Sequence, residues 1–232
     1  MITKDKFLKL IKPHEPCQDG LDLIAGCNDM EEVFIKMSGV DWYWLLKRQP
    51  QFAEYCDWSL LACDDWSLLL QIQPQFAEHC DWSLLDGWEW SQLLRKQPQL
   101  SEHCDWSLLG GGNWAFLLQS QPQFAEHCDW SKLGGNDWSY LLRYQTQFAE
   151  HCDWARLRGD NWCWLLKSEP QFANKCNWSL LNGGNWARLL EDQPQFAEHC
   201  DWSLLGGYNW SWLLKRQPQL KTYKEQHYDN KK

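Results

Sequence analysis

Glu78-His-Cys-Asp81 is the stretch best equipped for chemistry, with an imidazole beside a thiol and a carboxylate on either side. It returns at Glu102–Asp105, Glu126–Asp129, Glu150–Asp153 and Glu198–Asp201. A cysteine next to a histidine suggests an activated nucleophile or a pair of zinc ligands. Three physical points oppose both. Adjacent helical residues point about 100° apart, so His79 is badly placed to take the proton of Cys80. Stacked repeats set equivalent side chains roughly 8–10 Å apart, whereas each zinc ligand lies about 2.0–2.3 Å from its metal. An active site also occurs once, and this motif runs evenly from end to end. The Cys column is therefore expected to be structural core and the His column a solvated face. No catalytic residue, metal ligand or cofactor is assigned, and the chain is read as no enzyme. Gly-rich phosphate loops, Gly-x-Ser-x-Gly and Cys-x-x-Cys are all missing from the sequence.

The elements that would carry these residues repeat every twenty-four positions. The period holds without slippage through Cys56, Cys80, Cys104, Cys128, Cys152, Cys176 and Cys200. It also holds from Trp42 through Trp66, Trp90, Trp114, Trp138, Trp162 and Trp186 to Trp210. A short strict period means a stacked array, because one unit cannot bury its own apolar face. Within a unit, Trp90, Leu93 and Leu94 fall on one face of a helix that Pro98 ends. The residue before the Trp (Asp, Asn or Glu) is expected to be its N-cap. Pro74 then opens a second short helix with Phe76, Ala77 and Cys80 on one face, and Asp81-Trp82 begins a tight 3₁₀-like turn. Gly87 and the Gly-Gly pairs at Gly134, Gly183 and Gly206 are read as turn residues.

Residues 1–41 lie outside the period and are expected to cap the array. Lys4–Lys12 and Met30–Met37 read as amphipathic helices, with a third apolar run between Gly20 and Gly26. Residues 42–219 hold seven full repeats and a partial eighth. The polar tail, 220–232, is expected to fray after closing the last helix.

The twenty-four-residue unit with Leu-Leu, then Pro, then a second short helix resembles the leucine-rich repeat variant. The resemblance covers Trp42 to about Gln219 in layout, not in its Trp and Cys-Asp-Trp letters. It implies an all-α, right-handed helical-repeat solenoid of α and 3₁₀ segments. Pro16-Cys-Gln-Asp-Gly-Leu-Asp-Leu-Ile, with Asp29–Glu32 and Asp41-Trp-Tyr-Trp-Leu-Leu, resembles a short segment of uncharacterised phage and gut-bacterial proteins.

A net charge of −9 and a pI near 5.2 disfavour an electrostatic grip on nucleic acid. They permit a basic protein partner, including one that itself binds nucleic acid. The eleven Cys are expected to be free thiols. No run approaches the roughly 20 apolar residues of a membrane span, and the opening Met-Ile-Thr-Lys-Asp-Lys lacks a secretory pattern. A cytoplasmic setting follows as the expectation. Specificity would be written where the repeats differ, at Trp44, Phe116, Tyr140, Trp164, Arg188 and Trp212 on the first helix, and at Trp88 and Tyr208 at repeat junctions. Aromatic anchors with Arg nearby have the composition of a protein interface, although padding of the stack explains them equally. The leading expectation is a protein-binding array, in a narrower version a phage inhibitor of a host defence or nucleic-acid-handling enzyme. A small-ligand or nucleotide trap and a metal- or thiol-binding array are the alternatives.

Overall fold

The computed structural model describes residues 2–227. It falls into two units, Met1–Leu109 and Gly110–Lys232, and among the described residues every regular element is an α- or 3₁₀-helix. Each unit is an all-α helical-repeat solenoid.

The first unit opens with α1 (Lys4–Ile11), α2 (Gln18–Gly26) and α3 (Met30–Lys36). Its repeats start with α4 (Gly39–Arg48), α5 (Cys63–Leu70) and α6 (Gly87–Lys96). Two 3₁₀ segments follow each, as in Pro74–His79 and Trp82–Leu84 after α5. The second unit repeats the pattern behind α7 (Gly111–Ser120), α8 (Gly135–Leu142), α9 (Gly159–Ser168) and α10 (Gly183–Asp192), while α11 (Gly207–Arg216) is followed by a single 3₁₀ segment, Pro218–Leu220. Within each unit consecutive repeat helices pack side by side. Their Trp and Leu-Leu positions form the core: Trp42, Trp66 and Trp90 in one unit and Trp138, Trp162, Trp186 and Trp210 in the other are at most 1% exposed.

The helix cap differs from the sequence expectation. The Asp, Asn or Glu before each Trp is not the N-cap but the third helical residue. Except at Asn209, which donates to the Gly183 carbonyl, its side chain reaches back to the N-cap N–H: Asp41 accepts from Ser38 at 2.9 Å, Asn161 from Arg158 at 2.9 Å and Asn185 from Asn182 at 3.1 Å. This is the returning half of a capping box. Residues that favour N-caps also favour this position, so composition alone placed the helix start three residues late.

The glycines also act otherwise than expected. None of the described glycines has a positive φ, so no left-handed turn demands them. A Cβ on Gly39, Gly111, Gly135, Gly159 or Gly183 would instead lie 2.1–2.4 Å from a carbonyl oxygen of its own repeat's second 3₁₀ turn. Glycine at the first position of the helix is needed for close approach of that turn as the chain leads into the next repeat.

The Pro-led segment is 3₁₀ rather than α. Thr146 replaces Pro without changing it, since Thr146–His151 is 3₁₀ as well. The Gln before Pro is a second inter-repeat tie. Gln73, Gln97, Gln145 and Gln193 each donate from Nε2 to a carbonyl at the end of the preceding repeat's helix, at 2.7–3.1 Å.

Both ends imitate a repeat. Gln49 Nε2 reaches the Leu10 carbonyl of α1 at 3.5 Å and His14 Nε2 at 3.0 Å. Phe34 of α3 takes the place of a repeat Trp, stacked on Tyr55 at 4.9 Å. At the other end, Lys221–His227 forms a helix, α12, where fraying was expected, and its Tyr223 stacks on Trp202 at 4.7 Å. The rest of the polar tail lies outside the described residues.

Candidate interaction surface

The Glu-His-Cys-Asp motif resolves into four structural tasks. Asp81 accepts hydrogen bonds from the Ser83 N–H at 3.1 Å and its hydroxyl at 2.6 Å, closing the second 3₁₀ turn. Asp129 and Asp201 do the same with Ser131 and Ser203. Cys80, Cys104, Cys128, Cys152 and Cys176 are buried or half-buried, and burial pushes each thiol up to about 12. A thiol so disfavoured as thiolate is a poor nucleophile and a poor ligand.

The histidines of the motif are exposed, as expected of a solvated face, and they also cover indoles. His79 lies on Trp58, His103 on Trp82 and His151 on Trp130, with centroids 4.4 Å apart and planes within 9° of parallel. Each of these Trp is covered on another side by the buried Trp of the next helix, as Trp58 is by Trp66 at 5.4 Å. The imidazoles still meet solvent at one edge, beside Glu78, Glu102 and Glu150.

The positions that vary between repeats lie on the outer face of the first helices. Trp88, Trp164, Arg188 and Tyr208 are exposed, while Trp44, Phe116, Tyr140 and Trp212 are half-buried. The structure buries none of them fully. Small residues beside them make the helix-to-helix contact instead: Ser67, Ser91, Ala115, Ser139, Cys163 and Ala187 are all buried. Cations sit over several of the rings, with Arg48 4.8 Å from the Trp44 centroid, Lys167 5.6 Å from Trp164 and Arg216 4.6 Å from Trp212. In the second unit these side chains are also tied sideways. Tyr140 donates to Gln119 Oε1 at 2.6 Å, and Lys167 pairs with Asp192 at 2.7 Å. Arg216 pairs with Glu191.

Each unit has a cleft beside its variable positions. One, of about 370 Å³, lies between α5 and α6 and is lined by Asp64, Ser67, Leu68, Trp88, Glu89 and Gln92 among others. The other, of about 240 Å³, lies between α10 and α11, lined by Gly184, Ala187, Arg188, Tyr208, Asn209 and Trp212. Residue for residue they occupy the same repeat positions. The first is acidic and the second carries Arg188. Trp88, Arg188, Tyr208 and Trp212 thus meet at clefts, whereas Trp44 belongs to an apolar cavity of about 280 Å³ in the first unit, with Pro16, Leu23 and Val40.

No family model matches the chain, and neither a curated protein nor a solved structure does.

The sequence reading did not single out Asp64 and Glu89 at the first cleft, or Cys63 beside them. Their signal is departure from the period. Cys63 stands in a column otherwise Gly, and Glu89 in one otherwise Asp or Asn. Burial raises the pKa of Glu89, and the hydrogen bond between the two side chains lowers that of Asp86. Among the described residues no helix is long and apolar enough to cross a membrane.

Proposed function

We propose that the protein is a non-enzymatic repeat array that binds a protein partner through the outer face of its first helices. The observation that carries this reading is the pair of clefts at equivalent positions, lined by the very residues that differ between repeats. Columns that repeat unchanged already have structural work: Trp and Leu in the core, Gln on the neighbour's carbonyl, Asp on the turn. Half-exposed aromatics with cations above them have no comparable task inside the fold, and they have the composition of binding anchors.

The net charge of −9 favours a basic partner, such as an enzyme that handles nucleic acid. The phage-like opening segment makes inhibition of a host defence enzyme the narrower form of the reading, in cytoplasm of a bacterial host. The layout likeness to the leucine-rich repeat variant supports a right-handed winding.

The test is affinity capture from bacterial lysate, with and without nuclease, using the native chain beside Tyr208→Ala/Trp212→Ala. A stoichiometric protein that survives nuclease and is lost with the double variant supports the reading. Retention of the same protein by the variant, or of nucleic acid alone, overturns it.

A further inference from the structure

We propose that Cys63, Asp64 and Glu89 form a binding site for one borderline-soft divalent cation, zinc being the type. The thiol sulfur and one oxygen from each carboxylate all lie within 4.8 Å of one another. Cys63 Sγ is 3.8 Å from Asp64 Oδ1. Ligands around a tetrahedral zinc, each at about 2.0–2.3 Å, need only small rotamer shifts from such a cluster.

Comparison between repeats carries the argument. The third residue of one repeat's first helix lies beside the second residue of the preceding helix. In the second unit an amide joins them: Asn161 Nδ2 donates to Asn136 Oδ1 and Asn185 Nδ2 to Asp160 Oδ1, both at 2.6 Å. The equivalent pair in the first unit is Glu89 and Asp64. Both are carboxylates, where those two pairs of the second unit set an amide N–H against an acceptor. Glu89 is only 7% exposed. Its carboxyl accepts the Asp86 N–H at Oε2 at 3.3 Å and is hydrogen-bonded to the Asp86 side chain, while Asp64 offers a further acceptor beside it. A buried acceptor facing a second acceptor calls for a positive group between them.

Cys63 is the third departure at the same place. Gly39, Gly111, Gly135, Gly159 and Gly183 in its column leave no room for a Cβ against the carbonyl of their own second 3₁₀ turn. A side chain here works against packing, and it is a metal-ligating one. A thiolate with two carboxylates suits zinc better than magnesium or calcium, which prefer oxygen alone. Three protein ligands leave a fourth position for water. On binding, the Cys63 thiol gives up its proton to solvent, as does Glu89 if it carries one. None of this involves the evenly spaced Cys column; the site shares Asp64 and Glu89 with the first cleft, but metal binding is read without any partner.

The chelator-treated chain should be titrated with zinc and followed by native mass spectrometry, with cobalt as an optical probe. Expected are one zinc per chain and a thiolate-to-cobalt charge-transfer band in the near ultraviolet. Cys63→Gly and Glu89→Asn install the residues used elsewhere in their columns, so both should fold without metal. Each should lose the band and weaken zinc binding at least tenfold. No zinc on the native chain would mean that a proton alone serves the pair, and overturns the proposal. An unchanged stoichiometry or band in either variant would place the metal elsewhere and overturns it too.

Discussion

His103 lies flat on Trp82, with ring centroids 4.4 Å apart and planes 8° from parallel. The two belong to successive repeats, so the contact ties neighbours as well as covering an indole. Trp82 is held on another side by Trp90 at 5.3 Å. Where the repeat pattern ends, the same column carries Tyr: Tyr55 against Phe34 and Tyr223 against Trp202. The column carries a flat ring at every position except Lys175, and Tyr serves as well as His, so the ring face matters more than a titrating nitrogen.

His103→Ala should therefore cost about 0.5–1.5 kcal/mol, the range for one stacked aromatic pair. His103→Tyr should recover most of that loss. Urea unfolding at neutral pH measures both. Equal stability of all three chains would return the histidine to a bystander on the surface.

Gly111 and Gly112 stand side by side at the start of α7 and should respond oppositely to alanine. A Cβ on Gly111 would lie 2.3 Å from the Lys132 carbonyl oxygen, which is backbone and cannot swing away. Gly111→Ala should destabilise by about 1–3 kcal/mol through overpacking. At Gly112 the nearest neighbour is Asp137 Oδ1 at 3.7 Å, an ordinary contact. Gly112→Ala should stabilise by about 0.5–1 kcal/mol, because a helical glycine gives up its excess freedom. Thermal melts of the pair separate close approach from turn geometry.

These contrasts mark where sequence reasoning reached and where it stopped. The Trp and Leu-Leu columns were legible because apolar periodicity reports directly on burial. The helix start was misplaced because Asp41 or Asn161 satisfies a backbone N–H from inside the helix as well as from its edge. The ring stack on His79 was not legible. Its partner, Trp58, belongs to the preceding repeat, and the pitch of the stack decides whether the rings meet. The variable outer face was legible as a row, since Trp164 and Trp212 break the period. That Trp88 and Tyr208 share equivalent clefts needed the packing of neighbouring helices.

The buried thiols set a chemical test. Cys104 and Cys128 ionise at about 12 because burial penalises the thiolate. Compared with a thiol ionising near 9, each holds roughly a thousandfold less thiolate at pH 8. Iodoacetamide at pH 8 should label them at least tenfold more slowly in the folded chain than in urea, read by peptide mapping. The same shift fixes a sign for stability. The folded pKa lies above the unfolded one, so the contribution is complete below about pH 9 and is lost as pH rises toward 12. Alkaline titration should lower the melting temperature across that window. Equal labelling rates in the two states would show that these thiols are not sheltered.

Glu169 is the one carboxylate in a column of glutamines. Gln145 donates to the Gln119 carbonyl at 2.7 Å and Gln193 to that of Lys167 at 2.8 Å. The carbonyl in the equivalent place for residue 169 is that of Arg143, and a carboxylate has no N–H to offer it. Glu169→Gln supplies the donor and keeps an oxygen for Gln171, whose Nε2 already bonds Glu169 at 2.8 Å. The substitution should stabilise the chain by about 0.5–1.5 kcal/mol, the net worth of one hydrogen bond. Gln145→Glu, the reverse change one repeat earlier, should destabilise by a similar or larger amount, because it faces a carboxylate toward a carbonyl. If both variants unfold at the native urea midpoint, the glutamine column is not a tie between repeats, and the recurrence of Gln before Pro needs another cause.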